Sequence, residues 1–182
     1  MDNGASSYRR FLEGDKEAFQ HIVDAYSDGL TFFINRYVQN ITVAEDIAID
    51  VFTELIVHPR RYNFSVSLKT YLYMIGRNRA LNYLKKQKKH TIVDITEVED
   101  ALADEMDLEA LILRDERKCL VNEGLKQLPE DMRIVVHLVY FEELSYEDAA
   151  KIMGKNRKQV DNLLYRAKSM LRTILKKEEL FE

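Results

Sequence analysis

The stretch from Leu144 to Leu171, LSYEDAAKIMGKNRKQVDNLLYRAKSML, constrains this chain more than any other. It reads as two helices joined by a very tight turn. Ser145 can cap the first helix, with Asp148 three residues on in capping-box position. Ala149, Ala150, Ile152 and Met153 give that helix a small apolar face, and Gly154 stands where a left-handed exit residue is needed. Asn156 is a good cap for the next helix, in which Val160, Leu164, Ala167 and Leu171 recur at helical spacing. Two crossing helices joined by a turn of about three residues make a helix-turn-helix. The outer face of the second helix carries Arg157, Lys158, Asp161, Asn162, Tyr165, Arg166 and Lys168. Arg and Asn there can donate to base edges in a major groove, and Lys to phosphates. The plainer alternative is two helices of an ordinary bundle with a solvated face, so the rest of the chain must decide.

Charge bears on that decision. The net charge of −4 argues against nucleic acid at face value, but the charges are segregated. Arg60 to His90 holds nine Lys or Arg and no acid; Asp94 to Glu116 holds ten acids and one Arg; Lys151 to Lys177 holds nine bases and one acid. Two basic blocks flanking an acidic one matter more than their sum.

Only two prolines and six glycines interrupt the 182 residues, and apolar spacing near 3.6 runs through most of them. The expected fold class is therefore all-α. It comprises an N-terminal helical bundle over residues 8–89 and an acidic linker over 90–109. A C-terminal four-helix domain with the helix-turn-helix spans 110–178. Asp15 starts the first clear helix, whose stripe is Ala18, Phe19, Ile22, Val23 and Tyr26; Ser27-Asp28-Gly29 loosens or breaks it before Leu30, Phe33, Ile34 and Tyr37 continue. Thr42 with Glu45 forms a capping box for a helix from Val43 to about His58. One face of that helix is acidic, with Glu45, Asp46, Asp50 and Glu54, which suits either solubility or a basic partner.

Tyr62 to Ser67 is a polar and aromatic loop, and Ser65 or Ser67 caps the long helix that follows. Leu68, Leu72, Ile75, Leu81 and Leu84 face its core side. Lys69, Tyr71, Tyr73, Arg77, Asn78, Asn82, Tyr83, Lys85 and Lys86 are left for the other. Basic residues interleaved with aromatics suit a strand whose bases are exposed, the phosphates taking the charge and the rings the bases. A helix is expected from about Leu108 to Leu125, with Leu111, Ile112, Cys119, Leu120 and Val121 inside. Another starts at Pro129, with Met132, Val135, Val136, Val139 and Tyr140 at core spacing.

No reaction chemistry emerges. The four histidines are scattered, and no phosphate-binding glycine loop, zinc motif or nucleophile elbow occurs. The chain is read as having no enzymatic activity, metal or cofactor. Cys119 is the single cysteine, which fits a reducing compartment. MDNGASSYRR lacks the apolar core of a secretory signal, and no run approaches the roughly 20 apolar residues of a span. A cytoplasmic location without direct membrane insertion is expected.

Four segments in order carry a resemblance. FLEGDKEAFQHIVDAY, AEDIAIDVFTELI, SLKTYLYMIGRNRALNYLKKQKK and LPEDMRIVVHLVYFEELSYEDAAKIMGKNRKQVDNLLYRAK resemble the extracytoplasmic-function group of sigma factors, the small initiation subunits of bacterial RNA polymerase. The resemblance covers about Phe11 to Lys89 and Leu125 to Leu175. It implies two helical domains that dock on core RNA polymerase and read two promoter elements, with the acidic linker passing through a channel meant for nucleic acid. It makes Asp46, Asp50, Glu54 and Leu55 part of the polymerase contact. It places Tyr62, Asn63, Phe64 and Ser65 in the loop that captures a flipped base of the −10 element. Lys69 and Tyr71 join that DNA-binding block, and Arg77, Asn78, Asn82 and Tyr83 line the path of the melted strand. Asn162, Tyr165 and Arg166 match positions contacting the −35 element, with Arg157 and Lys158 near phosphates. An anti-sigma protein is a further partner it implies. This chain departs from the family in having Tyr71 where a Trp is frequent, and Asp161 and Leu163 where basic residues are usual, which leaves Leu163 free to touch a thymine methyl.

The rival reading is a stand-alone dimeric helix-turn-helix regulator whose N-terminal bundle dimerises or senses a signal. It predicts binding to a palindrome with half-sites about one helical turn apart.

Overall fold

The computed structural model describes residues 4–91 and 124–178, and every regular element among them is a helix. The chain divides into two compact units, Met1–Asp104 and Glu105–Glu182. The acidic block and most of the helix expected over Leu108 to Leu125 lie outside the described residues; only its end, 124–126, is seen, and it is helical.

The first unit contains α1 (Ala5–Leu12), α2 (Lys16–Val38), α3 (Ile41–Val57) and α4 (Leu68–Thr91). Asp15 caps α2 by accepting from the Ala18 N–H at 3.2 Å. That bond, with the Arg10 side chain second, holds its carboxyl below the usual range. The break expected at Ser27-Asp28-Gly29 does not occur, because α2 runs through it. An interior glycine costs about 1 kcal/mol relative to alanine. Leu30, Phe33 and Ile34 just beyond it are fully buried, and each such side chain returns roughly 1.5–3 kcal/mol. The sum favours one helix. α3 likewise starts two residues before the expected site. Gln39 ends α2 in the left-handed region (φ 51°), so Asn40 is the first extended residue available, and its Oδ1 accepts the Val43 N–H at 3.1 Å.

α4 packs against both α2 and α3, so its buried face is wider than one leucine stripe. Leu68, Leu72, Tyr73 and Ala80 are buried, while Ile75, Leu81 and Leu84 are only half-buried. Tyr73, expected on the outer face, has its ring centroid 4.8 Å from that of Phe33. Gly76 explains the shift. A Cβ there would lie 3.0 Å from Leu30 Cδ1 and 3.3 Å from Ile34, so the glycine lets α2 come close.

The second unit contains the helical end at 124–126, α5 (Glu130–Val136), a π-helical turn (His137–Phe141), α6 (Tyr146–Met153) and α7 (Arg157–Glu178). In the π turn the Glu142 N–H donates to the His137 carbonyl at 3.0 Å. The extra residue in that turn rotates the side chains after it. His137 and Leu138 are buried, whereas Tyr140 is 49% and Phe141 55% exposed. Tyr140 therefore leaves the core position that regular spacing assigned to it.

Candidate nucleic-acid interface

The helix-turn-helix forms as its sequence requires. Ser145 Oγ accepts the Asp148 N–H at 3.1 Å and donates to Asp148 Oδ2 at 2.7 Å. Gly154 takes φ 63° and ψ 34°, and the Lys155 N–H closes the end of α6 on the Ala150 carbonyl at 2.9 Å. Asn156 and Gln159 cap α7 reciprocally. The Gln159 N–H donates to Asn156 Oδ1 at 2.9 Å, and the Asn156 N–H to Gln159 Oε1 at 2.8 Å. Ala149, Ala150, Ile152 and Met153 on α6 are buried with Val160, Leu164 and Ala167 on α7.

The opposite face of α7 is open. Arg157, Lys158, Asn162, Tyr165 and Arg166 are all exposed, Tyr165 at 76%, and Asp161 is exposed among them. Leu163 is half-buried at its edge. Arg157 pairs with Glu147 at 2.9 Å. Lys168 Nζ lies 5.3 Å from the centre of the Tyr140 ring, and its bond to the Tyr140 hydroxyl raises its affinity for a proton. The π turn thus aims an aromatic side chain at the recognition helix.

In the first unit, loop 62–67 rests on an aromatic cluster. The Tyr8 hydroxyl on α1 lies 3.0 Å from the Leu55 carbonyl and 3.1 Å from that of Pro59, within donating distance of both. Burial, with the Tyr71 and Tyr62 hydroxyls nearby, pushes its ionisation up to about 12. The Tyr62 ring lies 5.5 Å from Tyr8, 4.6 Å from Phe64 and 4.9 Å from Tyr71. Tyr62 is 3% exposed and its hydroxyl donates to the Val66 carbonyl at 2.8 Å. It is a strut inside the loop, so a base meets it only if the loop opens. Asn63 and Ser65 are exposed, tied by the Ser65 N–H to Asn63 Oδ1 at 3.1 Å. Ser67, and not Ser65, caps α4, its Oγ accepting the Thr70 N–H at 3.0 Å.

Beyond the loop, Lys69 lies over the Tyr73 ring at 5.8 Å. Tyr71 is half-buried, and burial followed by the Glu54 charge raises its ionisation. Arg77 and Tyr83 are half-buried; Asn78 and Asn82, one turn apart, are exposed, as are Lys85, Lys86 and Lys89 farther along α4.

The acidic face of α3 is more divided than its sequence suggests. Glu54 is held by Arg79 at 2.7 Å and Arg61 at 2.6 Å, and Asp50 by Arg79 at 3.1 Å. The Arg79 bond first, then that of Arg61, keeps the Glu54 carboxyl below its usual range. Leu55 is 2% exposed and serves the bundle interior, not the surface. Asp46 stays exposed, without an ion pair among the described residues. Beside it lies what the sequence reading missed: Ile49, Ile56 and Val57 are 63%, 50% and 61% exposed. With Asp46, Asp50 and Thr53 they follow helical spacing on one face. The signal was present, because IAIDVFTELIV has too many apolar residues for a single buried stripe.

Among the described residues, no group of His, Cys, Asp and Glu is placed to hold a metal, and no helix is long and apolar enough to cross a membrane.

Residues 22–90 match the family model Sigma-70 region 2, and residues 120–171 match Sigma-70, region 4. The chain is 32% identical to the RNA polymerase sigma-H factor of Pseudomonas aeruginosa, over 89% of this chain and 88% of that protein. It belongs to the sigma-70 family, in the extracytoplasmic-function group. It is also 27% identical to the ECF sigma factor SigW of Bacillus subtilis, covering 92% of this chain and 94% of the other. A similar solved fold is the sigma factor RpoE from Bartonella quintana, in complex with the anti-sigma factor NepR. It has a TM-score of 0.64 and 21% identity over 87% of this chain and 96% of that one. Another is CnrH with the cytosolic domain of CnrY, with a TM-score of 0.63 and 18% identity over 96% of each chain. This sigma factor directs promoter-specific initiation of transcription. The dimeric-regulator reading is not favoured, since a sigma region is matched in each half.

Proposed function

We propose a division of labour along the chain. The exposed face of α3 docks on core RNA polymerase through Asp46, Ile49, Asp50 and Ile56. Loop 62–67 and the outer face of α4 capture the melted −10 strand, with Asn63, Phe64, Ser65, Lys69, Arg77, Asn78, Asn82 and Tyr83 toward it. Tyr62 and Tyr71 support that loop from beneath, and Glu54 and Leu55 support the docking helix. Arg157, Lys158, Asn162, Tyr165 and Arg166 read the −35 duplex. The chain supplies no catalysis of its own and acts in the cytoplasm, where core polymerase works. An anti-sigma protein is a further partner, as RpoE of Bartonella quintana is found in complex with the anti-sigma factor NepR.

One observation carries this reading: Ile49, Ile56 and Val57 are exposed beside Asp46 on a helix whose other face is fully packed. Exposed apolar side chains recurring along one helix face and edged by charge mark a surface for a protein. The test is capture of purified core polymerase, followed by promoter-selective transcription with the complex. Stoichiometric capture and new, defined start sites are expected, and Ile49→Asp should weaken capture at least tenfold. If the protein without core footprints a promoter as well as the complex does, the division is wrong.

A further inference from the structure

The cations around the helix-turn-helix are not equally engaged. Lys155, in the tight turn, is paired with Asp131 on α5 at 3.0 Å, and its side chain is only 27% exposed. That pair ties the turn to the rest of the second unit. Arg157, at the start of α7, is paired with Glu147 on α6 at 2.9 Å, with side-chain exposures of 71% and 53%. Lys158 and Arg166 make no ion pair among the described residues. Of the three cations assigned to the duplex, Arg157 therefore already holds an anion of the protein's own.

An ion pair this exposed contributes little to stability, because water screens it and two long side chains must be held still. It is also easily exchanged. A guanidinium binds a carboxylate and a phosphate through the same fork of N–H groups. A backbone phosphate that takes the N–H groups facing Glu147 must displace its carboxylate. The displaced carboxylate then stands beside the phosphate, and like charges repel. Both effects oppose binding. Glu147 also lies in the first turn of α6, where a carboxylate is favoured in its own right, so its part in the fold and its effect on DNA have to be separated.

We infer that Glu147 competes with a backbone phosphate for Arg157, and thereby lowers the affinity of the second unit for duplex DNA of any sequence. The inference rests on Arg157 meeting a phosphate of the −35 duplex. Because the exchange involves no base, it leaves the ratio between promoter and other duplexes unchanged. It lowers both affinities together. Lasting contact then depends on the bases read by Asn162 and Arg166 and on the docking of the first unit on core.

The experiment uses the full chain assembled with core polymerase, and two fluorescent duplexes of equal length, one selected from a randomised −35 pool and one of mixed sequence. Core affinity and thermal melting are measured for every variant, so that lost docking or lost folding is not mistaken for a change in DNA binding. Glu147→Gln should tighten both duplexes about 2- to 5-fold at low salt, with the gain shrinking as salt rises. In an Arg157→Ala background the same substitution should give only a small part of that gain. Asp161→Asn is the control. It removes a carboxylate one turn along α7 that makes no ion pair among the described residues, and its effect should be the same in both backgrounds. An equal gain from Glu147→Gln in both backgrounds would make Glu147 a general repulsive charge and overturn the inference. Weaker binding by Glu147→Gln would make it a support that aims Arg157 at the phosphate, and would overturn it too, as would no change. If Arg157→Ala leaves affinity unaltered in the Glu147→Gln background, Arg157 touches no phosphate, and the reading beneath the inference fails with it.

Discussion

The Arg79 guanidinium on α4 lies 2.7 Å from the Glu54 carboxylate on α3, and the same carboxylate holds Arg61, at the edge of the aromatic loop, at 2.6 Å. One side chain thus joins the proposed docking helix, the proposed strand-binding helix and the loop between them. It is inward-leaning, at 15% exposure, so solvent screens it less than a surface pair.

Glu54→Gln keeps the size and removes the charge from both bonds. It should destabilise the first unit by about 1–2 kcal/mol, nearly all from Arg79, because the exposed Arg61 pair contributes little. The folded carboxyl sits below its ordinary value of 4.5, so the native state gains from its ionised form. That gain is complete above about 4.5 and is lost as pH falls through the lower folded value. Urea melts of the two proteins should differ at neutral pH and converge in acid. A constant difference would assign the effect to packing.

Tyr8→Phe isolates a second link. The ring keeps its contacts with Tyr62 and Phe64, while the Leu55 and Pro59 carbonyls lose their donor. The expected cost is about 1–2 kcal/mol. In the native protein the phenol ionises near 12 instead of 10. Its stabilising, neutral form is fully present below 10 and is lost as pH rises toward 12. Stability should therefore fall more steeply over that range in the native protein than in Tyr8→Phe. Equal slopes would show that Tyr8 is not the group titrating.

Most of this fold was legible because it depends on near-neighbour chemistry. Ser145, Gly154, Asn156 and Asp15 do what caps and exits do, and α7 keeps its outer charges and inner apolar stripe. What misled depends on contacts between elements. Gly29 passes within a helix because Leu30 and Phe33 are buried beyond it, and Gly76 and Ala80 form core surface that hydrophobicity undervalues. At the site, residue type alone did not separate Asp46, which is free among the described residues, from Glu54, which is committed to two arginines. Nor did it separate exposed Ile49 from buried Leu55. The π turn had no signature in the spacing, so Tyr140 was assigned to the wrong side.

Gly154 tests the tight turn itself. At φ 63° an alanine meets its own Cβ penalty, about 1–2 kcal/mol. Asparagine tolerates this region better, so Gly154→Asn should cost less than Gly154→Ala. Both should lower the stability of the second unit, read by thermal melting, and weaken −35 duplex binding by the same fraction that unfolding predicts. A binding loss larger than that would mean the angle between α6 and α7 had changed.

Arg166 and Lys158 separate reading from holding. Arg166 lies one turn after Asn162 on the open face of α7, so the two reach successive positions in a groove. Lys158 lies at the helix start, where the backbone N–H groups already favour a phosphate. Arg166→Ala should cost about 1–3 kcal/mol at one base position and relax selectivity there; Lys158→Ala should weaken all sequences alike and lower the salt slope by about one. Both are read by competition of randomised −35 duplexes for the polymerase complex at two salt concentrations. If Arg166→Ala also weakens every sequence equally, its fork lies on the backbone. The reading of bases would then fall to Asn162 and Tyr165.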